Sequence, residues 1–269
     1  MGANTATLSP FRYPGGKSSF LKFYEPHLDN LMAGSKTFVD VFAGGGSVAC
    51  YIAKRYPIVD VVMNDVDSDM AAFWQVISEG KNFYELTKLI MKEPTVKLFR
   101  HLRGSTSASL VESAYRAIFF NRCTFSGIAK SGPLGGYEQK SSYKIDCRYN
   151  KLDIIEKVAN LMELFEGRLT VTCEDFRQVI PQYTKGIYCD PPYYQKGKQL
   201  YRSYFIEQDH IDLKKHLRGK KFLLSYDTCP FVDNLWWDYK RIPVPTRYTI
   251  NKGSTQAKGV EQLIYAEEK

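Results

Sequence analysis

Residues Thr37–Phe42 form an apolar run that ends in Ala43-Gly44-Gly45-Gly46-Ser47 and passes directly into a helical pattern over Val48–Tyr56. A buried strand that turns on glycines into a helix opens an α/β unit, because glycine lets the backbone turn sharply and approach a ligand closely. Alone, such a turn is a weak signal, since many α/β folds use one for packing. A second apolar run, Ile58–Met63, ends in Asn64-Asp65, nineteen residues after Gly46. In dinucleotide-type sites an acid about 20 residues past the glycines accepts ribose hydroxyls. Asp65 is therefore a candidate ribose ligand, although Asn64-Asp65 could equally begin a turn. Further runs at Leu169–Cys173, Gly186–Cys189 and Phe222–Ser225, a helix over Pro230–Trp236, and a last pair around Tyr239–Val244 and Gln262–Ala266 complete an α/β sheet.

The run Gly186–Cys189 ends in Asp190-Pro191-Pro192-Tyr193. Ligands of open α/β sheets collect at that edge. The residue types suit chemistry on an aromatic amine, whose lone pair is delocalised into its ring and is a poor nucleophile. A carboxylate and a backbone carbonyl that accept both N–H hydrogens pull the nitrogen towards tetrahedral geometry and free the lone pair. Two prolines stiffen the chain so that the Pro191 carbonyl points outward. Tyr193, with Tyr194 behind it, offers a flat face for an unstacked base. Taken alone, the stretch could also be a strand ending in a Pro-Pro turn with an exposed acid.

Near the start, Gly15-Gly16-Lys17-Ser18 invites a phosphate-loop reading. That motif needs a glycine five positions before Gly16, and position 11 is Phe, so a nucleoside triphosphate is not expected. The turn otherwise leads into a helix through Phe20-Leu21 and Phe23-Tyr24.

Taken together and in order, Phe11-Arg-Tyr-Pro-Gly-Gly-Lys17, Phe38-Val-Asp-Val-Phe-Ala-Gly-Gly-Gly46 and Asp190-Pro-Pro-Tyr193 resemble the Dam-type, or D12 class, DNA adenine-N6 methyltransferases. The resemblance runs from about residue 11 to the C-terminal strand. It implies a Rossmann-like class I S-adenosylmethionine-dependent methyltransferase fold with a mostly parallel seven-stranded sheet and a helical target-recognition insertion. S-adenosylmethionine is the implied cofactor and S-adenosylhomocysteine its product. Tyr13, Gly16 and Lys17 would meet the cofactor, the lysine at its carboxylate, with Asp40 near its amino acid end and Phe42, Gly44 and Gly46 around the turn. Asp65 would take the ribose, and Asp175 and Phe176 the adenine. Asp190, Pro191, Pro192 and Tyr193 would hold the target amine beside the methyl donor. Read without the family, Asp175 could equally cap a helix over Phe176–Ile180. Asp rather than Ser or Asn before Pro-Pro-Tyr weighs against cytosine N4, RNA or protein glutamine as acceptor. A DNA-binding relative that has lost catalysis is the other alternative, and the intact glycines and acids count against it.

Helical patterns at Ser68–Ile77 and Phe83–Met91 precede a break in the strand–helix alternation over about 81–165, which reads as an insertion between catalytic segments 1–80 and 166–269. Ser109-Leu-Val-Glu112 is a capping box opening a helix through Phe120. Asn121-Arg122-Cys123-Thr124-Phe125-Ser126-Gly127 and a glycine-rich loop to Tyr137 follow. Between Arg116 and Arg148 six Lys or Arg face two acids, with aromatics among them. That pattern suits a DNA-reading surface, though a solvated loop region has the same look. Asn121, Arg122, Thr124, Lys130, Tyr137, Lys144 and Arg148 are the candidate DNA contacts there. Asn121-Arg122 with Phe125 and Gly127 resembles the family's entry to target recognition, whereas Ser131-Gly-Pro-Leu-Gly-Gly136 departs from its GATC-reading members, so no recognition sequence is carried over. A stripe of Ile154, Ile155, Val158, Leu161, Met162 and Phe165 closes the insertion as a core-facing helix. The loop Tyr194–Tyr204 carries Lys196, and a terminal hairpin carries Arg247 and Lys252 as candidate phosphate contacts.

The chain has 269 residues and a net charge of +8, which favours a polyanionic partner without specifying one; the resemblance implies double-stranded DNA. No leader or bilayer-length apolar run is visible, so a soluble, cytoplasmic protein without membrane contact is expected. Six cysteines lie far apart without C-x-x-C, which indicates neither zinc nor disulfides. A cognate restriction endonuclease is a conceivable partner, and a monomer or weak dimer is expected.

Overall fold

The computed structural model describes residues 8–11, 17–107, 109–128, 130–194, 204–247 and 258–266. The glycine-turn unit forms as the pattern requires: β1 (Thr37–Asp40), α1 of the preceding segment (Leu21–Met32), α2 (Ser47–Arg55) and β2 (Asp60–Asn64). β1 pairs with β2 in parallel, Thr37 with Asp60 through Asp40 with Met63. Then come α3 (Ser68–Glu79), α4 (Phe83–Ile90), α5 (Val96–Gly104), α6 (Leu110–Cys123) and α7 (Lys151–Phe165), which leads back into β3 (Leu169–Thr172). After α8 (Phe176–Val179) the chain forms β4 (Ile187–Cys189), α9 (Glu207–Leu217), β5 (Phe222–Asp227), α10 (Pro230–Leu235), β6 (Lys240–Arg247) and β7 (Lys258–Tyr265).

The seven strands lie in the order β3-β2-β1-β4-β5-β7-β6, and β7 runs antiparallel to both of its neighbours. From β1 the chain first builds outward on one side, to β2 and β3, and then on the other, to β4. The order therefore reverses between β1 and β4, which is where ligands enter open α/β sheets. Pro243 and Pro245 fall in the outermost strand, β6, where their missing N–H groups can face away from the ladder.

Alternation along the strands sorts side chains onto two covered faces. Phe38, Tyr188, Leu223 and Leu263 join one apolar cluster with α1, α2, α3 and the helices of the insertion. Val39, Ile187, Cys189, Leu224 and Ile264 join another with α8, α9 and α10. Burial on both faces explains the near-continuous apolar runs of β1, β4 and β5. The first cluster continues without a break from the sheet into Phe99, Phe119, Phe120, Tyr149 and Ile154, so the insertion helices share the core of the sheet. Among the described residues no helix is long and apolar enough to cross a membrane.

Two boundaries differ from the pattern reading. The helix opened by Ser109 runs on to Cys123, and Ser109 Oγ accepts the Glu112 amide at 3.2 Å. The last strands are longer than the apolar run suggests, because the ladder continues through Arg247 paired with Lys258.

Candidate active site

The C-terminal ends of β1, β2, β3 and β4 bring together the acids and glycines that lie far apart in sequence. Asn64, at the end of β2, fastens three of these ends: its Nδ2 donates to Val41 O and Glu174 O, both at 3.0 Å, and its Oδ1 accepts from Thr172 Oγ1 at 2.8 Å and Glu174 N at 3.0 Å. A buried amide satisfied on every side fixes its neighbours closely. Asp65 follows it into the crevice.

The glycine turn is held by contacts that only glycine permits. Gly44 and Gly46 have φ of 45° and 68°. A Cβ on Gly46 would lie 2.3 Å from Trp74 Cζ2 and 2.8 Å from Met63 Cε. Trp74 Nε1 donates to Gly44 O at 2.9 Å, so the indole both fills the space behind the turn and pins it. Asp65 Oδ2 accepts the Gly44 amide at 2.8 Å and Asp65 Oδ1 accepts the Asp67 amide at 2.9 Å. Each carboxylate oxygen keeps a further lone pair for a hydroxyl.

Burial pushes the Asp65 carboxyl up, and the amides of Asp67 and Gly44 pull it back only partly, to about 7. The folded protein thus holds a proton on Asp65 that the unfolded chain, titrating near the ordinary carboxylate value, has released. Between about pH 4 and about pH 7 stability must fall as pH rises, at up to about 1.4 kcal/mol per unit from this group. Urea unfolding of wild-type protein and Asp65→Asn across this window checks the sign: the descending slope is expected to be shallower in the variant.

Asp40 is 2% exposed, and its Oδ1 has no hydrogen-bond partner among the described residues. Burial, then the charges of Asp190 and Asp65, hold its carboxyl well above the usual range. A buried acid with one oxygen unpartnered at the reversal point of the sheet, its carboxyl otherwise bonded to the Phe42 backbone, fits a cationic group placed in the crevice.

Asp190 lies past the end of β4. Its Oδ2 is 2.9 Å from Lys17 Nζ, and the Asp190 side chain is 26% exposed where that of Lys17 is 5% exposed. Lys17 Nζ also donates to Tyr193 Oη at 2.8 Å and lies 3.7 Å from Glu261 Oε2. Burial alone would lower the lysine, but Asp190 and Glu261 outweigh it and hold the ammonium well above its ordinary value. Burial raises Asp190, and Lys17 draws it partly back. Tyr193 is 8% exposed, stacks on Tyr226 at 6.1 Å and shares a hydrogen bond with Ser225 Oγ at 3.1 Å. The ring with open surface is instead Tyr194, stacked on Phe231 at 4.3 Å. Pro191 is buried and Pro192 half-buried beneath this corner.

Asp175 caps α8 by accepting the Arg177 amide at 2.8 Å and pairs with the Arg177 guanidinium, which also reaches Asp209 and Asp212 of α9. Phe176 is 3% exposed, among Phe42 at 5.9 Å and Phe205 at 5.3 Å, with Arg177 over its ring at 4.5 Å. Its ring is therefore covered by protein on several sides. Tyr13, Gly16, Lys196 and Lys252 lie outside the described residues.

The insertion divides the candidate DNA contacts by depth. Lys130, Tyr137 and Lys144 are exposed and Arg148 is half-buried. Asn121, Arg122 and Thr124 turn inward at 6%, 4% and 0% exposure. The reason is that Asn121 and Arg122 lie in the last turn of α6 and Thr124 caps it: Thr124 Oγ1 donates to Phe120 O at 2.5 Å, and Arg122 Nη2 lies 3.6 Å from Asp153 Oδ2 of α7. Arg116, one of the basic residues of the stretch, likewise faces in, pairing with Asp69 of α3 at 3.3 Å. These side chains support the loops rather than present themselves on the surface. Arg122→Ala is accordingly expected to lower stability by about 1–3 kcal/mol, since Asp153 is partly exposed and recovers water; a melting curve several degrees below wild type checks it.

Sequence reasoning missed Asn64 as a fastener, and it missed Trp74, Arg177, Gln139 and Glu261. Gln139, at φ of 51°, donates from Nε2 to Leu134 O at 2.7 Å and accepts the Ile145 amide on Oε1 at 2.8 Å, which folds the loop that exposes Tyr137 and Lys144. Glu261 had a readable signal, since it is an acid on the same side of an apolar strand as Leu263.

The site therefore joins a glycine cradle, the acids Asp65 and Asp40 beside it, and the half-buried Asp190 carboxylate on a buried lysine. Comparison with protein families matches residues 13–250 to the D12 class N6 adenine-specific DNA methyltransferases. A curated relative, the Type II methyltransferase M.MjaIII of Methanocaldococcus jannaschii, is 24% identical over 290 aligned positions, which cover 96% of this chain and 98% of the relative. The chain belongs to the D12 class N6 adenine-specific DNA methyltransferase family and is an enzyme of DNA adenine methylation.

Proposed function

We propose that this DNA adenine methyltransferase uses S-adenosylmethionine and acts on an adenine turned out of double-stranded DNA. The observation that carries the reading is Asp190: it is the member of the Lys17 cluster with open surface, and it stands beside the sheet reversal where one oxygen of buried Asp40 has no partner among the described residues. The donor, when bound, supplies an electrophilic methyl group on a positively charged sulfur.

The chain's own part is alignment and amine activation. The turn at Gly44 and Gly46, with Asp40 and Asp65 on either side, supports a cofactor lying across the ends of β1 and β2, its ammonium towards Asp40 and its ribose towards Asp65. Asp175, Phe176 and Phe42 stand further along, at the adenine end, and Tyr13 and Gly16 complete the amino acid end; the Lys17 ammonium, which the resemblance gives to the cofactor's carboxylate, is instead taken up by Asp190, Tyr193 and Glu261. Asp190 accepts one N–H of the target amine and the Pro191 carbonyl the other. Lys17 and Ser225 fix the Tyr193 hydroxyl, which keeps the Asp190-Pro191-Pro192-Tyr193 corner in place. Excluding water at this corner strengthens each of these contacts.

DNA is read by the insertion, residues 81–165, through Lys130, Tyr137, Lys144 and Arg148, with Asn121, Arg122 and Thr124 beneath them. Lys196, Arg247 and Lys252 meet phosphates from the catalytic segments. The Type II relative supports a modification role beside a cognate restriction endonuclease, in the cytoplasm. The test is transfer of tritiated methyl from S-adenosylmethionine to adenine-rich duplex DNA, followed by nucleoside analysis. N6-methyladenine is the expected product; label in cytosine, or binding without label, would overturn the reading.

A further inference from the structure

Odd-numbered positions of β7 face the same side of the sheet as Leu263, and there the strand carries Glu261, an acid 1% exposed. Directly opposite it in the ladder is Asp227, with Ser225 opposite Leu263. Glu261 is not idle in this position. Its Oε2 accepts from Tyr24 Oη of α1 at 3.4 Å and lies 3.7 Å from Lys17 Nζ. Tyr24 Oη is 3.1 Å from Ser225 Oγ, and Ser225 Oγ is 3.1 Å from Tyr193 Oη, which takes a hydrogen bond from Lys17. The contacts close a ring: Lys17, Tyr193, Ser225, Tyr24, Glu261 and back to Lys17. Asp190 joins this ring through Lys17, 2.9 Å away, and through the Tyr193 side chain.

We propose that Glu261 is a positioning residue for methyl transfer, which shares the Lys17 ammonium with Asp190 and so leaves Asp190 able to grip the target amine. The inference rests on the role given to Asp190 above. Its physical content is a division of one cation between two carboxylates. A lysine facing Asp190 alone would form a closed pair and compete with the substrate N–H for the carboxylate lone pairs. Drawn also towards Glu261 and Tyr193, the ammonium stays on one side of Asp190 and leaves the other side open. The charged and titratable groups around Lys17 are Asp190 and Tyr193 just past β4, Glu261 on β7, Tyr24 on α1 and, further off, Asp40 at the end of β1. Asp190 additionally feels Glu261 across the cluster, and Asp40 lies on its β1 side.

The test uses the full chain with Glu261→Gln, which keeps the side-chain shape and an acceptor for Tyr24 while removing the charge. Single-turnover transfer to duplex adenine is expected to slow about 10- to 100-fold, the usual scale for a supporting contact behind a reacting group. Calorimetric affinities for S-adenosylmethionine and duplex are expected to stay within about twofold of wild type. The acid limb of the rate profile is expected to move to lower pH, because Asp190 then has Lys17 to itself and loses a repelling neighbour. Glu261→Asp, which restores the charge one methylene short, is expected to return the acid limb to the wild-type position with a rate between the two; it carries the test if the glutamine variant does not fold. An unchanged rate and limb in Glu261→Gln, or, where only Glu261→Asp folds, an unchanged rate in that variant, would overturn the inference. Absence of adenine methylation by the wild-type chain would instead sink the underlying assignment, so the two failures are distinguishable.

Discussion

Asp190→Ala is expected to lower methyl transfer to DNA adenine by on the order of a thousandfold while the protein still folds and still binds DNA. The carboxylate is at the open end of the buried cluster, so its removal takes away the acceptor that faces the substrate. Lys17 keeps Glu261 and Tyr193 as neighbours, which is why the core tolerates the change. Asp190→Asn is the sharper variant, because the amide preserves shape yet brings N–H donors towards the substrate's own N–H groups. Single-turnover rates, with duplex affinity measured beside them, separate loss of chemistry from loss of binding. A variant that retains more than about a tenth of wild-type rate would contradict the role given to the carboxylate.

Gly46→Ala is expected to abolish cofactor binding and lower stability. Two costs add. The residue has φ of 68°, a left-handed conformation that costs a residue with a Cβ about 1–2 kcal/mol. The new methyl also meets the Trp74 ring at 2.3 Å, and overpacking of this kind costs about 1–3 kcal/mol or more. Trp74 cannot retreat without giving up its hydrogen bond to Gly44 O, so relief at one glycine disturbs the other. Thermal melting with and without S-adenosylmethionine checks both effects: a lower melting temperature, and no upward shift on adding the cofactor.

Local patterns carried the scaffold well. The glycine turn, the acids at the ends of β1 and β2, and the strand before Asp190 are each written in a few contiguous residues. The sheet reversal between β1 and β4 is a property of strand neighbours, which local patterns do not record. Depth was harder to read. Arg116 and Arg122 counted as basic surface because charge in a sequence carries no record of burial, yet each has a partner on another helix, Asp69 and Asp153. Tyr193 was read as a stacking face, and its hydroxyl turns out to be a junction between Lys17 and Ser225. Phe176 was given to the cofactor's adenine by the resemblance, and the fold sets Phe42, Phe205 and Arg177 against its ring as well.

Asn64 and Glu261 were missed for the same reason, at greater range. Asn64 acts through β1 and β3, whose contributing residues Val41 and Glu174 are separated from it by tens of positions and by more than a hundred. Glu261 meets Lys17 across nearly the whole chain, because the antiparallel β7 slides back beside β5. Only the assembled sheet brings such partners together.

The account turns on what Asp190 holds during the reaction. A crystal structure of the chain with a duplex containing its target adenine and an unreactive analogue of the methyl donor measures this directly. The account predicts adenine N6 about 3 Å from both an Asp190 oxygen and the Pro191 carbonyl oxygen, with Lys17 still bridging Asp190 and Glu261. An extruded adenine whose amine contacts neither oxygen, with Asp190 closed onto Lys17 alone, would contradict it.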